Sequence, residues 1–201
     1  MRNLVPADGS IKLLDDYSPE PSRTGIWVGL AAITMSFAAF TSALVVRQAT
    51  ANDWRHLSLP PIVFVNTLML LASSGTLEVA RRSIATFMRE KTGNRTIPLL
   101  WLIATLLLGL FFIAGQYMAW QQLRAGGLYL ASNPNSSFFY VLTGMHALHV
   151  LGGLGGLIRL VAKLGGPVPS LRRSTLDATS YYWHFMGLLW LYLLLVLWMK
   201  L

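Results

Sequence analysis

Five long apolar runs, separated by short polar and charged segments, dominate the pattern of hydrophobic and polar positions along the chain. A helix rises about 1.5 Å per residue, so about 20 apolar residues cross the roughly 30 Å hydrocarbon core of a bilayer. We therefore predict an all-α, polytopic membrane protein. A polar N-terminal arm (1–24) precedes a five-helix transmembrane domain (25–201), whose predicted spans are approximately 25–46, 61–80, 97–120, 138–160 and 178–199.

The second predicted helix carries a stripe of polar residues at helical spacing. Its members are Asn66, Thr67, Ser73, Ser74 and Glu78. Residues three, four and seven apart share a helix face, and lipid disfavours a polar face of this kind. We expect the stripe to turn towards the other helices, with Asn66, Ser73 and Glu78 as structural or interface residues.

The acidic residue Glu78, in the second predicted helix, can have one of two roles. An acidic residue inside a membrane is by default a candidate for proton transfer. Alternatively, Glu78 forms an ion pair near the end of its helix, because Arg81 and Arg82 follow it by three and four residues. The ion pair is our preferred interpretation.

The fourth predicted helix contains two histidines three residues apart, His146 and His149, which share a helix face. A metal site normally needs three or four ligands. The other candidates, His184 and Glu78, are expected near the inner ends of their helices, some 10 Å or more away in depth. We interpret these histidines as polar packing residues and predict no metal, haem or other cofactor in this chain.

The same helix contains Gly152 and Gly156, four residues apart. This spacing permits a close helix crossing in a membrane. A nucleotide-binding loop would place its glycines between a strand and a helix, and this segment has no such arrangement. Close packing of helices is therefore the predicted role.

Composition and charge support the membrane assignment. The 201 residues are 54% hydrophobic and 12% charged, against about 25% charged in soluble domains. The net charge of +8 arises from Lys and Arg in short segments between apolar runs, not from a basic groove, so we expect no nucleic-acid partner. Of the 16 Lys and Arg residues, twelve lie on the side of the N-terminus, which predicts N-terminus inside and C-terminus outside.

The residues reveal no active site. No catalytic Ser/His/Asp set, paired carboxylates or phosphate loop is visible, and cysteine is absent. Such a chain is most simply a subunit of a larger assembly. A small transporter or channel lined by the polar stripe, and a membrane cytochrome in its own right, are the alternatives from other classes.

Four short segments of the chain resemble, in their order and spacing, the motifs of a known protein family. They are LP at 59–60 with NTL at 66–68 and SS at 73–74, GQ at 115–116 with W at 120, FFY at 138–140 with TGMHALHV at 143–150, and YWHF at 182–185 with W at 190. Together they resemble the haem-copper (cytochrome c) oxidase subunit III family in its five-helix bacterial form. The likeness runs from about residue 25 to the C-terminus.

The resemblance implies a non-catalytic subunit in the bacterial cell (inner) membrane. In that family the subunit docks beside oxidase subunit I, which holds the haems and copper, and it holds membrane lipids. The complex, with subunit II, passes electrons from cytochrome c to oxygen and pumps protons. A quinol oxidase or a nitric-oxide-reductase-associated member of the same family is the nearest alternative, because the electron donor, cytochrome c or quinol, binds other subunits.

The chain departs from the family pattern at two positions. Ile33 occupies the place of a glutamate usual in the first helix, and Gly187 replaces an acidic residue after the closing motif. Both changes remove charge from the predicted bundle, so we expect its partner contacts or bound lipids to differ.

Overall fold

A computed structural model describes residues 21–50, 59–90, 95–130, 134–166 and 173–200 of the chain. Every regular element in these ranges is an α-helix, and all five helices are long and apolar enough to cross a membrane. The predicted all-α, five-helix membrane architecture is confirmed. The helices are α1 (Pro21–Thr50), α2 (Ile62–Glu90), α3 (Thr96–Ala125), α4 (Pro134–Gly165) and α5 (Arg173–Lys200). Most of the predicted N-terminal arm lies outside the described residues.

The helices contain 28 to 32 residues and extend beyond the predicted spans. At about 1.5 Å per residue they exceed 40 Å, so their ends reach past the hydrocarbon core. The end of α3 shows why the chain turns there. Gly127 adopts a left-handed backbone conformation with φ of 79°, and the Leu128 amide donates a hydrogen bond to the Leu123 carbonyl. Only glycine adopts this conformation readily, which ends the helix.

α5 packs against α1, α2 and α4, and the most extensive single pairing joins α2 to α3. α1 lies at the edge of the bundle, where it touches α5 and α4. The Gln48 side chain donates a hydrogen bond of 3.3 Å to the Lys200 carbonyl, so the C-terminal ends of α1 and α5 lie together. The predicted N-inside orientation stays a prediction.

Large aromatic side chains fill the interior between the helices. Phe37, Phe112, Phe139, Trp183 and Trp190 are all fully buried. The outward surface is also apolar, as expected of a face that meets lipid. Because both surfaces are apolar, polar side chains in the interior mark the positions where helices recognise one another.

Candidate functional site

The buried polar residues of α2 pair with tryptophans of α5. The Trp183 indole N–H donates to Ser73 Oγ at 3.0 Å, and the Trp190 N–H donates to Thr67 Oγ1 at 2.9 Å. All four residues are buried. In hydrocarbon an indole N–H has no solvent partner, so these bonds favour one alignment of the two antiparallel helices. The polar stripe of α2 therefore faces the bundle.

A third bond of the same kind joins α3 to α4. The Trp120 indole N–H donates to Thr143 Oγ1 at 3.0 Å. The pairing of these tryptophan donors with the hydroxyl groups was not predicted from the sequence. The seven-residue separation of Trp183 and Trp190 was the available signal, because it places two indoles on one face of α5.

Asn66 is buried at the contact between α2 and α3. A Cβ built on Gly115 would overlap the Asn66 side-chain oxygen, so any larger residue at this position in α3 would require the Asn66 side chain to move. The Asn66 Nδ2 and both polar side-chain atoms of Gln116 have no protein hydrogen-bond partner within the described ranges. Asn66 is thus a contact residue between these helices.

His146 is fully buried inside a set of aromatic rings. Ring centroids lie 5.1 Å away at Trp190, 5.9 Å at Phe112 and 6.5 Å at Phe37. Neither imidazole nitrogen has a hydrogen-bond partner among the residues that the structure describes. Aromatic side chains from α1, α3 and α5 therefore pack around the His146 ring.

His149 has different surroundings and is only partly buried. Its Nδ1 lies 2.7 Å from the Met145 carbonyl oxygen, and its own backbone carbonyl accepts a hydrogen bond of 2.9 Å from the Tyr182 hydroxyl. In the described part of the chain, no three His, Asp or Glu side chains form a group that could hold a metal ion.

His184 lies deeper than we expected. The α4–α5 contacts place Gly153 beside Trp183 and His146 beside Trp190, so His184 is only three residues, about 4.5 Å, from the level of His149. The expected separation of some 10 Å or more does not hold for His149, whereas His146 lies six residues, about 9 Å, from the level of His184. The error arose because α5 begins at Arg173, earlier than the predicted start at 178.

Two glycines of α4 form the crossing with α5, and they differ in part from the predicted pair. A Cβ on Gly153 would lie 3.0 Å from the Trp183 ring, and one on Gly156 would lie 3.3 Å from Thr179. Gly152 is exposed, and a Cβ there would be 3.5 Å from the Tyr182 hydroxyl. Gly156 is therefore close to α5 as predicted, whereas Gly153 contributes more to the contact than Gly152.

Glu78 takes part in an ion-pair network at one end of the bundle. Its carboxylate accepts a hydrogen bond of 2.9 Å from Arg82 and lies 3.6 Å from Arg81. Arg81 also pairs with Asp177 of α5 at 3.0 Å and lies over the Tyr181 ring. The network thus links α2 to α5 through Asp177, a residue that was not among the predicted interface residues.

The two departures from the family pattern occupy apolar or tight positions. Ile33 packs against the hydrophobic core. Gly187 is buried, and a Cβ there would lie 3.4 Å from Ser74 Oγ. Gly187 thus lies at the contact between α5 and α2, where a Cβ would make an ordinary van der Waals contact.

Comparison with known proteins agrees with this architecture. Residues 28–200 match the family described as Cytochrome c oxidase subunit III. A protein of Mycobacterium bovis named "Probable cytochrome c oxidase subunit 3" is 33% identical over 188 residues, which cover 89% of this chain and 88% of that protein. "Cytochrome c oxidase subunit 3" of Synechocystis sp. is 26% identical over 187 residues, covering 90% and 76%, respectively. The protein of that name from Coturnix japonica is 31% identical over 163 residues, covering 78% of this chain and 59% of its own length. The resemblance in the sequence motifs is confirmed, and the chain belongs to the cytochrome c oxidase subunit III family.

Proposed function

We propose that the chain is the non-catalytic subunit III of a respiratory haem-copper terminal oxidase in the bacterial cell membrane. The oxidase would pass electrons from cytochrome c to oxygen and pump protons, with its haems and copper in partner subunits I and II. This chain would stabilise subunit I and hold membrane lipids. The observation that carries the proposal is the family match, which spans α2 to α5 and most of α1.

The packing of the interior supports a stabilising role. Tryptophan–hydroxyl bonds join α2 to α5 and α3 to α4, and aromatic rings surround His146. Close-packed protein interiors have low compressibility and resist rearrangement. A rigid bundle with an apolar outer surface is suited to pack beside another membrane subunit and to hold it in one conformation.

The same contacts argue against a transporter or channel. The polar stripe of α2 would have to line an open path, but Ser73 and Thr67 are buried and bonded to Trp183 and Trp190. The stripe is used for helix recognition and offers no row of polar groups to a passing solute.

The proposal is tested by affinity purification of the tagged chain from native membranes in mild detergent. We expect a haem-containing subunit I to co-elute in a 1:1 ratio with the tagged chain. We also expect the eluate to oxidise reduced cytochrome c. A stable chain that elutes without haem would contradict the proposal. A Soret band that persists in the chain after separation from its partners would indicate a membrane cytochrome. Oxidation of quinol, with no activity towards cytochrome c, would indicate the quinol-oxidase alternative.

The stabilising role needs a second measurement. Deletion of this chain should leave the haem spectrum of the remaining complex unchanged and shorten the time for which the enzyme stays active during turnover. An unchanged active lifetime would contradict the stabilising role.

A further inference from the structure

Three polar residues, one each from α2, α3 and α4, are buried in the interior of the bundle. They are Asn66, Gln116 and His146, and none is more than 1% exposed. Five of their side-chain atoms have no hydrogen-bond partner among the residues that the structure describes: Asn66 Nδ2, both polar atoms of the Gln116 amide and both ring nitrogens of His146. We call this group of three residues the buried polar junction.

The members of the buried polar junction lie at one level of the bundle. The Phe112 ring is 5.9 Å from the His146 ring and 5.0 Å from the Trp190 ring. Gln116 follows Phe112 by one helical turn on the same face of α3. Trp190 also donates a hydrogen bond to the residue that follows Asn66, which brings α2 to the same level. The three polar side chains are therefore arranged around one pair of aromatic rings.

The unpaired atoms include both donors and acceptors. The two amide nitrogens are donors, the Gln116 amide oxygen is an acceptor, and a neutral imidazole supplies one of each. A buried polar group left unpaired costs the free energy of its desolvation, and most such groups in proteins bond to protein or to ordered water. Five unpaired atoms at one level would be a large cost, so a partner that both donates and accepts is required.

Water has the properties of this partner. A water molecule inside a protein makes about three hydrogen bonds to polar groups that are otherwise unsatisfied. The amide ends of Asn66 and Gln116 turn about single bonds, so they can receive a water molecule without a shift of the backbone. Bulk solvent cannot take this role, because the outer surface of the helices meets lipid.

The buried polar junction is limited in extent along the bundle. The neighbouring hydroxyl groups of α2, on Thr67 and Ser73, each accept a hydrogen bond from an indole N–H of α5. These hydroxyl groups are already paired with protein donors. The polar atoms that lack a partner are therefore gathered at one site and do not continue as a row along α2.

We propose that the buried polar junction is a binding site for ordered water, with at least one molecule bridging the side chains of Asn66, Gln116 and His146. The bound water would join α2, α3 and α4 in the interior, as the tryptophan–hydroxyl bonds join other pairs of helices. The site lies wholly within this chain, so it goes beyond the proposed function and does not depend on it.

The first test is an electron cryo-microscopy map of the intact complex, at a resolution that shows ordered water. We expect density within hydrogen-bond distance of Asn66 Nδ2 and of a polar atom of Gln116 or His146. The Trp190–Thr67 pair is the internal control, because these side chains bond directly at 2.9 Å and no density should separate them. A map in which the three side chains bond directly to one another, with no such density, would overturn the proposal.

The second test is hydroxyl-radical footprinting, in which brief X-ray irradiation of the complex makes radicals from water, including bound water. We expect oxidation of Trp190, although it is only 1% exposed. Gln116→Leu and His146→Leu should each lower the rate of this oxidation several-fold, because each removes groups that hold the water. Gln121→Leu is the matched control and should have no effect, since Gln121 is in the same helix as Gln116 but is exposed.

The footprinting results can also overturn the proposal. Absence of oxidation at Trp190, or oxidation undiminished in both Gln116→Leu and His146→Leu, would show that no water is held there. An equal decrease in Gln121→Leu would indicate a general change in the bundle. Co-elution of haem shows that each variant is assembled, and the map of the unmodified complex decides where a variant is not. A negative result with haem still co-eluting leaves the proposed function as subunit III intact.

Discussion

Replacement of Trp183 by phenylalanine tests how the helices are held together. Trp183 is fully buried in α5, and its N–H donates to Ser73 in α2. Its ring also lies 2.7 Å from the Cβ position of Gly109 in α3 and 3.0 Å from that of Gly153 in α4. Phenylalanine would keep an aromatic ring at this position but would lose the hydrogen bond and part of the ring system.

Two contributions determine the expected loss of stability in Trp183→Phe. A hydrogen bond contributes about 1 kcal/mol in proteins and about 0.6 kcal/mol between membrane helices. The space left by the smaller ring adds about 1 kcal/mol, since complete truncation of Trp to Ala costs about 3–5 kcal/mol. We therefore expect a loss of about 2 kcal/mol. Ser73→Ala should cost about 1 kcal/mol, because Ser73 also donates to the Leu70 carbonyl at 2.6 Å.

Thermal unfolding of subunit III in the purified complex measures these changes. For a chain of 150–250 residues, 1 kcal/mol shifts the melting temperature by about 2–4 °C. We expect Trp183→Phe to lower it by about 4–8 °C and Ser73→Ala by about 2–4 °C. The decrease in melting temperature of the double variant should be about 2 °C smaller than the sum of the two single decreases, because both changes remove the same bond. Trp198→Phe is the matched control, since Trp198 is 71% exposed in the same helix, and it should have no effect.

Additive effects in the double variant would refute the reasoning, because they would mean that the two side chains are not coupled. A loss in Trp198→Phe as large as that in Trp183→Phe would also refute it. In that case the indole would contribute through general hydrophobicity and not through its position between the helices.

The same thermal measurement checks three further predictions. Gly153→Ala should lower the melting temperature by a few degrees, because its Cβ would crowd the indole of α5, whereas Gly155→Ala should be neutral or slightly stabilising; equal effects would contradict the assigned crossing. Asp177→Asn should cost less than about 1 kcal/mol, because both partners in the ion pair with Arg81 are about one third exposed. That cost should shrink in high salt, and a salt-independent loss would argue against the ion pair. His146→Leu should change stability by less than about 1 kcal/mol and leave the haem spectrum of the complex unaltered, because its ring nitrogens bond to no described protein group. A shifted haem spectrum would show that this histidine acts on a cofactor.

The number and type of the helices could be predicted from the chain alone. Each span is a continuous apolar run, and a run of this length must form a helix in a bilayer because its backbone groups have no other partners. The inward direction of the α2 stripe followed from the same reasoning, since lipid disfavours polar groups. The ion pairing of Glu78 with Arg82 was also predictable, because the two residues lie one turn apart on a single helix.

Contacts between different helices were decided only by the tertiary structure. Neither the pairing of Trp183 with Ser73 nor that of Arg81 with Asp177 follows from any one segment, because each joins residues about a hundred positions apart. The contribution of Gly153, and the level at which His184 lies, depend on the register between α4 and α5. Hydrophobic burial in a bilayer acts on each segment separately, so it is readable in the sequence. Register is determined by how side chains from several helices fit together at close range, and that information exists only once the bundle has formed.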